Sequence, residues 1–411
     1  MSRRFICKVA ILAIMVRGDV GDKRPLARRG GRQRIIADMH ATPRSTRREF
    51  LTGQAAADAL VQLDVGGGSP LENPDSESYL VHLSRRAMAC TFEVFLNAGQ
   101  YPAGNTAALA ALDLVDRLED QLSIYRESSE VSELNRTAAF TSVEIEPRLF
   151  NLLQLAERLH SETGGAFDVT AGRLSQVWGF TRRRGEVPPA EVLADALACV
   201  GSRHLCFDRE AGTIRFLQTG LEINLGSIGK GYALDRCAQL LDAAGVHDYL
   251  LHGGHSSVLA RGSHAGRTKP GWCVGVRNPL RPDRRLGQLI LQNKALGTSG
   301  SGTQFFEHQG RRLGHILDPR TGWPAEGVLS VSVVAATAAE ADALATAFYV
   351  MGPEAARSYC ERHAEVGFVM ACPGVRAGSL SVHVAGLAEG SWQPLDEAPA
   401  RATEAGLDRP V

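Results

Sequence analysis

The sequence predicts an α+β fold in which mixed, mostly antiparallel sheets pack against helices. Three observations lead there: short apolar stretches of period two that come in pairs, longer stretches with apolar residues at helical spacing, and no regular strand-helix-strand alternation or internal repeat. In chain order, "YLVHLSRRAMACTFEVFL" (79–96) alternates as two strands do, and "NTAALAALDLVDRLEDQLSIY" (105–125) carries apolar residues at helical spacing. "EIEPRLFNLLQLAERLHSE" predicts a helix over roughly 148–162. "AEVLADALACV" (190–200) and "GKGYALDRCAQLLDAAG" (229–245) predict two more, the second ending on a glycine suited to a left-handed cap. "YLLHGG", "GWCVGVRNP", "LGQLILQN" and "VLSVSVVAA" then read as antiparallel strands, before a last long helix over 338–351.

Composition narrows the partners. The 45 Lys plus Arg balance 45 Asp plus Glu, so no overall field draws the chain to nucleic acid or to an anionic membrane, and recognition must be local. The cysteines at 7, 90, 199, 206, 237, 273, 360 and 372 form no CxxC pair and no zinc-spaced run; they read as mostly buried thiols and do not fix the compartment.

Residues 1–78 differ from the rest. Residues 1–50 are arginine-rich and lack sustained periodicity, and "FICKVAILAIMV" is too short to span a membrane. "STRREFLTG" (45–53) resembles a twin-arginine export signal, although the following "QAAADALVQL" is a weak apolar region carrying Asp58; a disordered leader, or one that is not translated, is the alternative, and Met39 would make a plausible true start. "GGGSPLENPDSES" (66–78) reads as a linker, 79–390 as the folded body and 391–411 as a polar tail. An operating signal would put the protein in the periplasm or on the outer face of the cytoplasmic membrane; without one it is cytoplasmic. No transmembrane segment is expected.

Five segments carry candidate chemistry. In "AEADALATAFYVMG" (339–352), Asp342 and Thr346 stand four apart and share a helix face, so a carboxylate and a hydroxyl could meet one hard cation; taken alone, such a pair is more usually a cap or first-turn charge and a packed threonine. In "INLGSIGKGYALD" (223–235), three glycines and Lys230 precede a helix, which suits a phosphate or simply a tight turn with a solvated lysine; the spacing is neither Walker A nor GxGxxG. Asp168 in "TGGAFDVTAGRL" (163–174) could bind a ligand or close an Asx-turn. Tyr125 in "LSIYRESSEVSELN" (122–135) could stack on a planar ring. "GHILDPRTGWP" (314–324) combines a histidine with turn-forming residues.

In their order, and together with "MACTF" (88–92), "HGGHSS" and "LGTSGSGTQFF" (296–306), these segments resemble the FAD:protein FMN transferase (ApbE) family over about 79–390. The resemblance implies an ApbE-like, T-fold-related architecture. It also implies a Mg²⁺-dependent enzyme that takes FAD as substrate, transfers FMN to a threonine of a target flavoprotein and releases AMP. Carried over by position, Asp342 and Thr346 would hold the metal with the backbone carbonyl of Ser227. Met88, Tyr125, Ala166, Phe167, Asp168, Asn224, Lys230 and Ile316 would line the FAD site. His315 would act as general base on the incoming threonine, or at least orient it, and Asp318, Pro319, Arg320, Thr321 and Gly322 would build a rigid turn that aims it, with Asp318 and Arg320 paired to each other or to neighbouring backbone.

The departures are Asn224 where the family has aspartate, an amide with different donors that could lower FAD affinity, Ser227 and Gly229 in place of other small residues, Ala89 and Cys90 where the family has Gly and Thr, and the absence of an Asp-Tyr pair after "TSG". No Ser/Thr-Gly-Ala-Thr-like acceptor tetrapeptide occurs in the chain, so self-flavinylation is not expected. An FAD diphosphatase and a non-enzymatic flavin-binding protein are the rival readings.

Overall fold

The computed structural model describes residues 12–14, 79–182, 185–300 and 305–395. Its centre is a nine-stranded sheet. The strands are β1 (Leu12–Ile14), β2 (Leu80–Ala87), β3 (Cys90–Asn97), β4 (Tyr249–Gly253), β5 (Ser257–Arg261), β6 (Lys294–Gly300), β7 (Ser330–Ala335), β8 (Gly367–Pro373) and β9 (Leu380–Ala385). Numbered this way, spatial order equals chain order and every neighbouring pair is antiparallel, as the paired period-two stretches predict.

Excursions leave this meander and return to it. Between β3 and β4 the chain forms helices α1 (Gly104–Leu122), α2 (Glu130–Thr137), α3 (Pro147–Glu162), α4 (Gly172–Val177), α5 (Ala190–Ala198) and α6 (Gly229–Ala243), with a small sheet of Val143–Glu144, Leu205–Asp208 and Thr213–Phe216. Between β5 and β6 stands the hairpin Trp272–Arg277/Arg285–Leu291, and between β6 and β7 the hairpin Phe305–His308/Arg311–Gly314. α7 (Ala338–Arg362) follows β7 and breaks at Gly352 (φ 76°) before Pro353, one residue past the predicted end. α6 ends as predicted: Gly245 is left-handed (φ 76°), and the N–H groups of Gly245 and Val246 reach back to the carbonyls of Asp242 and Leu241.

Strand alternation feeds two cores. Phe92, Val94, Leu96, Leu251, Leu259, Val331 and Val333 face the helical layer, whereas Leu250, Val258, Ala260 and Val334 face a second core that contains Trp272, Val274 and Leu289. The strand Trp392–Pro394 pairs with Arg285–Leu291, so the folded body continues past the expected boundary at 390. A third, smaller core of Leu174, Trp178, Phe180, Leu193, Leu313 and Leu317 ties α4 and α5 to the second hairpin. The twin-arginine stretch, the linker and residues 396–411 lie outside the described residues. No helix among the described residues is long and apolar enough to cross a membrane.

Candidate functional site

α6 and α7 meet at their N-terminal turns. The contact is so close that a Cβ on Gly231 would lie 2.0 Å from the Ala338 carbonyl oxygen, and one on Gly297 of β6 would lie 2.2 Å from that of Ala341. Only glycine admits this approach. It buries Asp342 (6% exposed), whose Oδ2 accepts from the Gly231 N–H at 2.7 Å and whose two oxygens lie 2.7 and 2.8 Å from the Ser257 hydroxyl. Burial pushes the Asp342 carboxyl above the usual carboxylate range, while Lys230, Ser257 and the Gly231 N–H favour its ionised form. Thr346, one turn on, places its hydroxyl 3.4 Å from the Asp342 carbonyl and 3.3 Å from Ser299 of β6.

The same turn governs Ser227. In a longer helix the Gly231 N–H would close on the Ser227 carbonyl; here it donates to Asp342, and the first helical bond runs from Tyr232 to Ile228. Asn224 uses its Oδ1 to accept from the Gly226 N–H at 2.9 Å. That Asx-turn needs only an acceptor, so asparagine serves it as aspartate would. Further along α6, Asp235 accepts from the N–H groups of Ala338 and Ala339 of α7, both at 2.8 Å. Burial raises its carboxyl to about 6 against the pull of those two donors.

Met88 occupies the two-residue turn between β2 and β3 and packs partly against the main core. Its neighbour Cys90 borders the Lys230 side chain: a Cβ on Gly254 would touch the Cys90 sulfur at 2.8 Å and Lys230 Cδ at 3.9 Å. Burial raises the Cys90 thiol, an effect that Lys230 partly offsets.

The "GHILDPRTGWP" segment forms the expected rigid turn. Arg320 grips Asp318 with two charge-assisted bonds, Nε to Oδ1 at 2.9 Å and Nη2 to Oδ2 at 2.8 Å, and the Asp318 carbonyl accepts from the Thr321 and Gly322 N–H groups. The buried indole N–H of Trp178 donates to the Gly322 carbonyl at 2.8 Å. His315 is half-buried where the strand Arg311–Gly314 ends, and Ile316 next to it is buried. A cleft of about 450 Å³ opens beside this turn, lined by Leu313, Asp318, Thr321, Trp323 and Pro324.

The remaining predicted residues lie in two further segments. Ala166 and Phe167 are 0% and 1% exposed and belong to the main core. The Asp168 carboxylate closes the Asx-turn, accepting from the Thr170 N–H and hydroxyl, from Ser202 and from His160 Nδ1 at 3.0 Å. Its segment still borders the rigid turn, since a Cβ on Gly165 would lie 3.5 Å from Arg320 Cγ. Tyr125, 72% exposed, lines a second cleft of about 430 Å³ with Arg173, Gln176 and Glu222. Ser257, Ser299 and Asp235 were not singled out in the sequence, although each lies inside one of the ordered motifs.

The ApbE family model matches residues 88–370, more than half of the chain. The chain belongs to the ApbE family. Among ApbE structures, that of the Thermotoga maritima protein superposes with a TM-score of 0.67 at 30% identity, covering 74% of this chain and 97% of that one. The flavin transferase ApbE from Vibrio cholerae gives 0.66 at 27% identity, covering 75% and 97%. An FAD:protein FMN transferase from Klebsiella pneumoniae (strain 342) is 33% identical over 255 residues, 60% of this chain and 71% of that one. Another, from Haemophilus influenzae, is 30% identical over 297 residues, 70% and 85%.

Proposed function

We propose that this ApbE-family enzyme is an FAD:protein FMN transferase: it uses Mg²⁺, cleaves the diphosphate of FAD, joins FMN through a phosphoester to a threonine of a target flavoprotein and releases AMP. The observation that carries the reading is the convergence on Asp342 and Thr346 of Gly231, Ser257 and Ser299, from three other motifs of the ordered series.

The donor set fits a hard cation. Asp342 offers a carboxylate, Thr346 a hydroxyl and Ser227 a carbonyl outside the helical ladder, all oxygen, as Mg²⁺ prefers. Asp342 Oδ1, which meets only the Ser257 hydroxyl, retains acceptor capacity beyond that bond. Bound there, Mg²⁺ would neutralise diphosphate charge and polarise phosphorus toward attack. The chain's own residues do the rest. Lys230 and the α6 N-terminus supply positive potential for the phosphates. His315 takes the proton from the attacking threonine hydroxyl, held by the turn that Asp318 and Arg320 fix. Export through the twin-arginine segment is a separate proposal, tested by N-terminal sequencing of the mature protein; an uncleaved cytoplasmic product would refute it.

The deciding experiment incubates the protein with FAD, Mg²⁺ and a threonine-bearing acceptor and weighs the acceptor by mass spectrometry. FMN mass on the acceptor, with one AMP released per transfer, is expected. Free FMN beside an unmodified acceptor would make the protein a diphosphatase. His315→Ala should slow transfer by about 10²- to 10⁴-fold with FAD binding little changed; an equal loss of both would demote it to a binding residue.

A further inference from the structure

The first turn of α7 has an unusual dependence on another helix. Its orphan N–H groups are those of Ala338, Ala339 and Glu340; the last is served locally by the Thr337 hydroxyl at 3.2 Å, the first two by the Asp235 carboxylate of α6. In return Asp342 of α7 serves the Gly231 N–H in the first turn of α6. Each helix thus supplies the carboxylate that caps the other. The two caps close over the glycine contact at Gly231, where a Cβ would collide with the Ala338 carbonyl.

Two bonds from one planar carboxylate to successive N–H groups fix both the height and the rotation of α7 against α6. Asp342 lies four residues beyond Ala338, and Thr346 one turn further, so the same constraint sets where both point. We propose that Asp235 is a positioning residue for the cation site, holding α7 in the phase that lets Asp342, Thr346 and the Ser227 carbonyl face one ion. This rests on the metal reading above. Asp235 does not touch the ion; it acts through the backbone of Ala338 and Ala339.

The test measures metal binding directly, without turnover. Mn²⁺ is titrated into the full chain in the presence of FAD, and free Mn²⁺ is followed by its electron paramagnetic resonance signal. Alongside, thermal unfolding is recorded for each variant. Asp235→Asn keeps the shape but replaces one accepting oxygen by a donor that opposes an N–H, and Asp235→Ala removes both acceptors. Both should weaken Mn²⁺ binding by about 10–100-fold, as loss of a group that orients a metal ligand commonly does. Thr337→Ala is the control: it removes the helix's own cap but leaves the inter-helix clamp, so it should lower the unfolding temperature while Mn²⁺ binding stays as in the unaltered protein.

Unaltered Mn²⁺ affinity in both Asp235 variants, with Asp342→Ala losing it, would overturn the clamp and leave the metal reading standing. Unaltered affinity in Asp342→Ala would overturn the metal reading itself and the clamp with it. A loss in Thr337→Ala equal to that in Asp235→Asn would reduce Asp235 to general helix stability and also reject the proposal.

Discussion

Met88 and Ala89 turn β2 into β3 with φ of 48° and 58°. A left-handed conformation costs a non-glycine residue about 1–2 kcal/mol, whereas glycine's greater freedom in the unfolded chain costs about 0.4–1 kcal/mol. Strain wins, so Ala89→Gly should raise the unfolding free energy by about 0.5–1 kcal/mol in urea titrations; a decrease would mean that the turn relaxes without strain. His160 and Asp168 set a second expectation. The Asp168 bond raises the His160 pKa above 6.5, chiefly against burial, so the folded state holds that proton more tightly than the unfolded one. That stabilisation is complete below about 6.5 and lost as pH climbs through the raised value. Burial pushes the Asp168 carboxyl up, but the bonds from His160 and Thr170 more than offset it and leave it below 3.8. Its share is present above the ordinary carboxylate value and lost on acidification. His160→Gln should therefore cost more stability at about pH 5.5 than at about pH 9, and equal costs would show that the pair carries no charge-dependent stability.

At the level of elements, the rigid turn after the strand Arg311–Gly314 depends on one indole. Trp178 is 0% exposed, sits edge-on to Trp323 with ring centroids 5.2 Å apart, and supplies the donor for the Gly322 carbonyl. Trp178→Phe keeps most of the apolar contact but leaves that carbonyl without its indole donor, a loss of about 1–3 kcal/mol. It should slow transfer by loosening the segment that presents His315, while Mn²⁺ binding at α7 persists; parallel loss of both would show that the two parts of the site are not separable. This turn was legible in sequence because Asp, Pro, Thr and Gly write their bonds within five residues. The α6 cap at Gly245 and the end of the long helix near Gly352 were legible for the same reason. Ser257, Ser299 and Asp235 were not: their roles arise from contacts to partners 85, 47 and 103 residues away, which no local pattern encodes. Asp168 was ambiguous in sequence because an Asx-turn and a ligand contact ask for the same side chain; its carboxylate makes the Asx-turn bonds to Thr170 and a further bond to Ser202.

Across the whole molecule, a sheet whose spatial order follows the chain lets long excursions leave and return without disturbing strand pairing, and it is these excursions and the strand ends that supply the site. α6 comes from the excursion between β3 and β4, Ser257 from β5, Ser299 from β6 and Asp342 from the helix after β7. Such a site does not exist in the unfolded chain, so ligand binding there must stabilise the entire folded body rather than one segment. At ligand concentrations about a hundredfold above the dissociation constant the gain is about 2.7 kcal/mol, a rise of roughly 5 °C in the unfolding midpoint for a domain of this size. FAD with Mg²⁺ should produce that rise in a single cooperative transition. FAD with a chelator should produce a smaller one, because the phosphates then meet Asp342 without an intervening cation. In Asp342→Ala the difference between the two conditions should vanish; if it persists at full size, the cation is held elsewhere and the convergence on Asp342 serves only to join the two helices.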